Sequence, residues 1–185
     1  LTSSDDGINA SGSITVEEGL AATAETASDT ASAETSEATT SGDAAAQMGP
    51  GGMGDGGGTM EDTGEQLTIT GGTITVNANG DGLDSNGSLT FSGGETTVYG
   101  PASGANSSLD SNGTMSITGG TVIASATNEM VETPTTADGQ GWVSASATGS
   151  AGSTVTITDS SGATLGTYTS LKAFGNVIYS TSGMT

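Results

Sequence analysis

The sequence predicts an all-β fold in which short parallel strands stack as a solenoid, a parallel β-helix. Three observations predict this fold class. Segments that start at 67, 89 and 115 repeat one pattern, which gives spacings of 22 and 26 residues. Apolar residues alternate with Thr or Ser in each segment, as they do along a half-buried strand. A Gly-Gly pair divides each segment into two runs, and such units bury their apolar faces by stacking on one another.

Each repeat is predicted to contain two strands whose apolar side chains point to one face. The Gly-Gly pairs at 71–72, 93–94 and 119–120 lie between these strands. A tight corner there needs a positive φ or a close backbone approach, both of which favour glycine. The predicted inward positions are Leu67, Ile69, Ile74 and Val76 in the first repeat, Leu89, Phe91 and Val98 in the second, and Met115, Ile117 and Val122 in the third.

Four segments are predicted along the chain. Residues 1–19 form a partial β-helix rung, since DDGINASGSITVEEG at 5–19 has the same acidic turn followed by a strand. Residues 20–66 form a surface or flexible insertion, rich first in Ala, Ser, Thr and Glu and then in Gly and Met, with too little apolar surface to offset its ordering entropy. Residues 67–140 form the rungs, and 141–185 form a C-terminal antiparallel β cap. Because the chain opens in mid-repeat, we expect it to be a segment of a longer protein.

The charge and composition exclude several classes of function. The chain carries 21 Asp and Glu against one Lys or Arg, a net charge of −20, so nucleic acid and anionic membranes are repelled. It contains no Cys and no His, which excludes disulfides, Cys/His zinc sites and catalysis by histidine. No apolar run of about 18 residues predicts a membrane span. Cations that prefer oxygen ligands remain as partners.

The acidic turn of the repeats predicts a calcium site. GDGLDSNG at 80–87 returns as SLDSNG at 108–113, so stacking places Asp84 over Asp110 and Asn86 over Asn112, with Asp81 close by. Carboxylates on adjacent strands are roughly 4.8 Å apart, and at an effective dielectric near 20 they repel by about 3.5 kcal/mol. A calcium ion between them removes that repulsion. Asp5, Asp6 and Asn9 supply the same motif at the start of the chain.

An alternative interpretation needs no metal. Asp, Asn and Gly are common turn formers, and Asn86 and Asn112 can stack as a ladder of side-chain amides. The sequence leaves both interpretations open.

Most of the segment 5–180 resembles a family of secreted bacterial carbohydrate-binding proteins of clostridial type. The resemblance rests on DDGINA, on LTITGGTITVNANGDGLDSNG, on MGPGGMGDGGG and on the closing VTITDSSGATLGTY, in that order. It implies a right-handed parallel β-helix similar to pectate lyases, with bound calcium, an extracellular or cell-surface location, and binding of cellulose or polygalacturonate without catalysis. It also implies calcium ligation by Asp5, Asp6, Asp81, Asp84 and Asp110.

The sequence predicts a binding protein rather than an enzyme. Proton abstraction beside a uronate carboxylate needs an Arg or Lys near the metal, yet the chain has no Arg and its one cation, Lys172, lies in the predicted cap. Sugar binding usually relies on exposed aromatic faces, for which Tyr99 and Trp142 are the candidates, although Trp142 can also cover the end of the core. An anionic pectin would bind through calcium between protein and uronate carboxylates.

Two other functions compete with this prediction. The chain could be a subunit of an extracellular surface filament or adhesin, assembled with other copies of itself through the ends of the β-helix. It could also bind ice through outward Thr pairs, but Glu95, Tyr99 and Ile123 interrupt that array.

Overall fold

The computed structural model describes residues 1–10, 62, 64–135 and 139–184, and the backbone of 14–16. These residues form twelve β-strands, and none of them forms a helix long and apolar enough to cross a membrane. The described chain is therefore all-β, as predicted. The strands are β1 (Ile8–Ala10), β2 (Ile14–Val16), β3 (Gln66–Ile69), β4 (Thr73–Asn77), β5 (Leu83–Ser85), β6 (Ser88–Tyr99), β7 (Leu109–Ser111), β8 (Met115–Ala126), β9 (Trp142–Gly149), β10 (Thr154–Thr158), β11 (Thr164–Thr169) and β12 (Phe174–Ser180).

Seven strands form the main sheet, in the order β2-β3-β6-β8-β12-β9 with β4 beside β6. Strands from successive repeats pair in parallel, so Leu67, Leu89 and Met115 lie opposite one another. β12 then runs antiparallel to both β8 and β9. The repeat spacing thus sets the parallel register, whereas the last strands of the chain make the sheet mixed.

Two smaller sheets complete the described fold. The three-stranded sheet has the order β1-β5-β7, and all of its pairs are parallel. The two-stranded sheet pairs β10 with β11 in antiparallel register. The first of these sheets contains residues that were predicted to lie in acidic turns, since Asp84 lies in strand β5 and Asp110 in strand β7.

The predicted right-handed parallel β-helix is wrong as a description of this fold. The described strands form three separate sheets, the largest of them mixed, and none is closed or solenoid-like. The arrangement resembles a β-sandwich. The physical reason is that repeated alternation specifies only how neighbouring repeats pair. It does not specify how the unrepeated C-terminal strands return, and here they return antiparallel on the main sheet.

The apolar core lies between the three-stranded sheet and the main sheet. Leu83 and Leu109 from the first sheet are fully buried in one cluster with Leu67, Leu89 and Phe91 from the second. Burying each such side chain contributes about 1.5–3 kcal/mol of transfer free energy. The inward positions predicted from the alternation are therefore those that join the two sheets, with Ile74 only partly buried at the margin.

The second glycine of each Gly-Gly pair has a left-handed backbone. Gly72, Gly94 and Gly120 have φ angles of 79°, 79° and 84°. A Cβ on Gly94 would lie 2.6 Å from the carbonyl carbon of Gly71, a separation that real Cβ atoms do not adopt. The backbone angle thus favours glycine at all three corners, and at Gly94 and Gly120 the approach of the preceding repeat excludes a side chain.

A C-terminal ribbon, formed by β10 and β11, packs on the repeats. Its Tyr168 stacks on Tyr99 of β6, and the Tyr179 hydroxyl of β12 donates to the Leu165 carbonyl at 2.7 Å. Lys172, between β11 and β12, donates to the carbonyl of Ala78, to Asn79 Oδ1 at 2.9 Å and to the carbonyl of Gly100 at 3.3 Å. The C-terminal strands are thereby attached to the ends of β4 and β6. The predicted insertion at 20–66 lies outside the described residues except for 62 and 64–66.

Candidate functional site

A row of carboxylates crosses the three-stranded sheet. Strand register places Asn9, Asp84 and Asp110 side by side on β1, β5 and β7, as the repeat spacing predicts for Asp84 and Asp110. Beyond β7, a carboxylate oxygen of Glu132 accepts a hydrogen bond from the Ser111 amide at 3.0 Å. The term acidic row is used here for Asp6, Asp81, Asp84, Asp110 and Glu132.

Hydrogen bonds from backbone amides and from the Asn9 side chain hold Asp6, Asp81 and Asp84 in place. The Asp81 amide donates to Asp6 Oδ1 at 2.8 Å, and the Ser107 amide donates to Asp81 Oδ1. Asn9 Nδ2 donates to Asp6 Oδ2 at 3.3 Å and also to Asp84 Oδ2. Asn9 therefore links the carboxylate of Asp6, just before β1, with that of Asp84 on the adjacent strand β5.

Burial and mutual repulsion raise the pKa values of the central carboxylates. Partial burial, the largest cause, raises the pKa of Asp81 to about 6 and that of Asp84 to about 7. The negative charges of Asp110 and Asp6 add to both increases. These two carboxylates therefore hold their protons more tightly than they would in water.

Asp110 and Glu132 form the other end of the row and interact directly. Their side chains are hydrogen-bonded to each other, and burial raises the pKa of both. Two carboxyl groups can hydrogen-bond to each other only when one of them is protonated and donates, so the pair titrates as a unit. The one Lys of the chain, Lys172, bonds to residues outside the row, so protonation rather than a cationic side chain offsets the charge of the row.

The remaining predicted ligands lie beside the row. Asp5 is exposed, and its main-chain carbonyl accepts hydrogen bonds from the amides of Asn79 and Gly80 at 3.2 and 3.0 Å. Asn112 Nδ2 donates to Asn86 Oδ1 at 3.5 Å, a long contact of the kind expected for an amide ladder. The amide contact of the metal-free interpretation is therefore present in the structure.

The donor set of the acidic row suits calcium chemically but is not yet arranged around one point. Calcium takes six to eight oxygen ligands from carboxylates, amides, carbonyls and water, and oxygen is the donor that the row offers. No group of three or more Asp or Glu within the described ranges has the geometry to hold one metal ion. Calcium binding would require rotation of these half-buried side chains.

Glu132 was missed by sequence reasoning. It lies after the third repeat, in a segment without the DSNG motif, and so no repeat position pointed to it. Its place beside Asp110 depends on how the chain leaves β8, which the alternation of β8 does not encode.

The two predicted aromatic ligands occupy different environments. Tyr99 is half-buried, and its ring stacks on Tyr168 with centroids 5.4 Å apart and planes inclined by 23°. One face of Tyr99 is thus covered by the C-terminal ribbon, so only its other face can meet a sugar. Trp142 is half-buried in β9 and packs against the apolar core, the structural role that was its alternative.

The described residues form an all-β fold with a row of carboxylates, and a chain without His or Cys has no histidine- or cysteine-based catalytic centre. The chain belongs to the family described as carbohydrate-binding domain-containing proteins, whose family model matches residues 59–183, about two thirds of the chain. Searches of curated proteins and of solved structures gave no match. The matched region includes every strand from β3 to β12, so it contains Asp81, Asp84, Asp110 and Glu132. The predicted resemblance to carbohydrate-binding proteins is confirmed.

Proposed function

We propose that this protein is a non-catalytic, extracellular polysaccharide-binding module of the cell surface whose acidic row binds calcium. The observation that carries the proposal is that the carbohydrate-binding family match spans β5 and β7 and includes four of the five carboxylates of the acidic row, all except Asp6. Family membership supports polysaccharide as the ligand, and the charge of the row supports a cation as the mediator.

Three features of the acidic row support calcium. Asp84 and Asp110 are in register on adjacent parallel strands, so their carboxylates face each other across one strand spacing. Burial makes each negative charge costly, and a divalent cation offsets that cost more effectively than water does. Asn9, Asn86 and Asn112 add amide oxygens next to the carboxylates, and amide oxygens are common calcium ligands.

An anionic uronate polymer would bind to the protein with calcium on the acidic row more readily than to the protein without calcium. A net charge of −20 repels a polyanion such as polygalacturonate. The single cation, Lys172, donates to backbone carbonyls and to Asn79. Calcium held by the row would supply the missing positive charge and would join protein carboxylates to uronate carboxylates.

The arrangement supports binding without catalysis. A glycosidase places two carboxyl groups on opposite sides of the scissile bond, about 5–9.5 Å apart, whereas the acidic row sets its carboxyl groups in a line along one sheet. A lyase needs a base beside the metal, and Lys172 lies at the ends of β4 and β6 rather than in the row.

Affinity electrophoresis tests the proposal. In gels that contain polygalacturonate, we expect calcium to retard the protein and EDTA to abolish the retardation. Asp84→Asn and Asp110→Asn should each lose most of the effect, while Glu95→Gln, an exposed carboxylate on β6, serves as the matched control. The polymer is assayed afterwards for unsaturated or shortened products. Retardation unchanged by EDTA, or appearance of products, contradicts the proposal.

A second candidate function is assembly with other copies at the cell surface. It is favoured by β9, an eight-residue strand at the end of the main sheet that pairs only with β12 among the described strands. A strand edge of this length can accept another chain. Light scattering on the purified protein distinguishes the two functions. Assembly predicts a mass that grows with protein concentration, whereas binding of polysaccharide alone predicts a constant mass.

A further inference from the structure

A groove lies between the turn after β8, the end of β9 and the start of β12. Its volume is about 380 Å³, which falls within the range of about 300–1,000 Å³ that small-ligand sites occupy. Its apolar floor is lined by Gly149, Ala173 and Phe174. Gly149 covers the buried Phe174, because a Cβ on Gly149 would lie 2.4 Å from the Phe174 ring. Larger residues at 149 would therefore displace the floor.

The rim of the groove is polar. Ser103, Thr127, Asn128 and Thr148 present hydroxyl and amide groups around the apolar floor. Asn128 Oδ1 accepts a hydrogen bond from Ser146 Oγ at 3.2 Å, which orients the amide and leaves its Nδ2 end as a donor. A sugar ring likewise has an apolar face and a hydroxyl edge, so the floor and the rim match its two kinds of surface.

The charge of the lining selects among sugars. Glu129 is the one ionisable side chain among the lining residues, and none of them is a cation. A carboxylate accepts hydrogen bonds from sugar hydroxyls but repels a uronate. The groove therefore suits an uncharged saccharide, in contrast to the acidic row with its calcium.

The groove and the acidic row lie on one short segment of chain. Glu129 lines the groove and Glu132 ends the row, and three residues span at most about 11 Å. A single polysaccharide chain can therefore contact both features.

We propose that this groove is a calcium-independent subsite for neutral sugar units of a polysaccharide. The inference rests on the proposed polysaccharide-binding function and adds a second site of different chemistry. Uncharged units would lie over the apolar lining at Gly149, Ala173 and Phe174 and donate hydroxyl hydrogen bonds to Glu129, while Asn128 donates to them.

Binding of soluble neutral polymers in EDTA tests the inference. Galactomannan, arabinoxylan and hydroxyethyl cellulose are each added to affinity gels, and we expect at least one to retard the protein without calcium. Ala102→Trp, an exposed lining position, should abolish that retardation by filling the groove, while Ala151→Trp, exposed outside it, should not. Asn128→Ala should weaken binding about 2- to 10-fold, the value of one neutral hydrogen bond.

The same preparations are run with polygalacturonate and calcium, so that two failures remain distinguishable. If polygalacturonate binds but no neutral polymer does, or if Ala102→Trp leaves neutral binding intact, the groove is not the subsite and this inference is overturned alone. If neither type of polymer binds, the proposed function is overturned as well.

Discussion

At the scale of single residues, the acidic row is where ionised side chains destabilise the folded state, because several half-buried carboxylates lie close together. Asp81 and Asp84 are half-buried beside other carboxylates, and both have raised pKa values. Raised pKa values at grouped carboxylates are typical of functional sites, because burial and like charges are arranged there to shift them. Whether protons or a bound cation offset the charge of these carboxylates therefore decides which ligand the acidic row can take.

The raised pKa values predict an unusual dependence of stability on pH. Since the folded state binds protons more tightly than the unfolded state, the stabilising effect is complete below about pH 4 and is lost as pH rises through about 6 and 7. In EDTA, the melting temperature should therefore fall between pH 4 and pH 7.5. Asp84→Asn should flatten the curve, and a melting temperature that rises across this window would contradict the account.

Thr96 is a second site where the fold departs from a simple apolar core. Its side chain is 2% exposed and lies between Ile74 and Val122 on neighbouring strands. Its hydroxyl has no hydrogen-bond partner among the residues that the structure describes. Thr96→Val should therefore stabilise the protein by about 1–2 kcal/mol, the cost of an unsatisfied buried hydroxyl. Urea unfolding measures the change, and Thr75→Val, at an exposed position of β4, is the control. A loss of stability in Thr96→Val would show that the hydroxyl has a role.

At the scale of elements, the corners between strands make the close stacking of repeats possible. Gly94 and Gly120 both have positive φ, and each lies within van der Waals distance of the Gly-Gly pair in the preceding repeat. Neighbouring repeats can therefore pair through their strands only if the corners carry no side chain. The Gly-Gly pairs were visible in the sequence, and their spacing indicated this role.

A pair of glycine substitutions separates steric contact from backbone strain. Gly94 and Gly104 have similar positive φ angles, 79° and 94°, but a Cβ on Gly104 would meet nothing within 4 Å. Gly104→Ala should cost about 1 kcal/mol from φ alone, and Gly94→Ala should cost several times more. Chemical unfolding of the two variants provides the comparison, and equal losses would show that the corners are not tightly stacked.

At the scale of the whole molecule, the sequence predicted local pairing better than global arrangement. The alternation and the repeat spacing gave the inward residues and the register of Asp84 with Asp110, because both are fixed by neighbouring strands. They did not give the mixed main sheet, the stack of Tyr168 on Tyr99 or the position of Glu132. Each of these depends on contacts with unrepeated segments, where no periodicity applies.

Binding of polysaccharide is a property of the whole molecule and is tested on the intact protein. The acidic row and the groove lined by Glu129 differ in chemistry, and both lie on a chain of the carbohydrate-binding family. Isothermal titration of polygalacturonate into the protein, first with calcium and then with EDTA, tests the central claim most directly. The account predicts saturable heat with calcium, none with EDTA, and only a small part of that heat for Asp84→Asn with calcium. Equal binding in all three, or no binding in any, would contradict it.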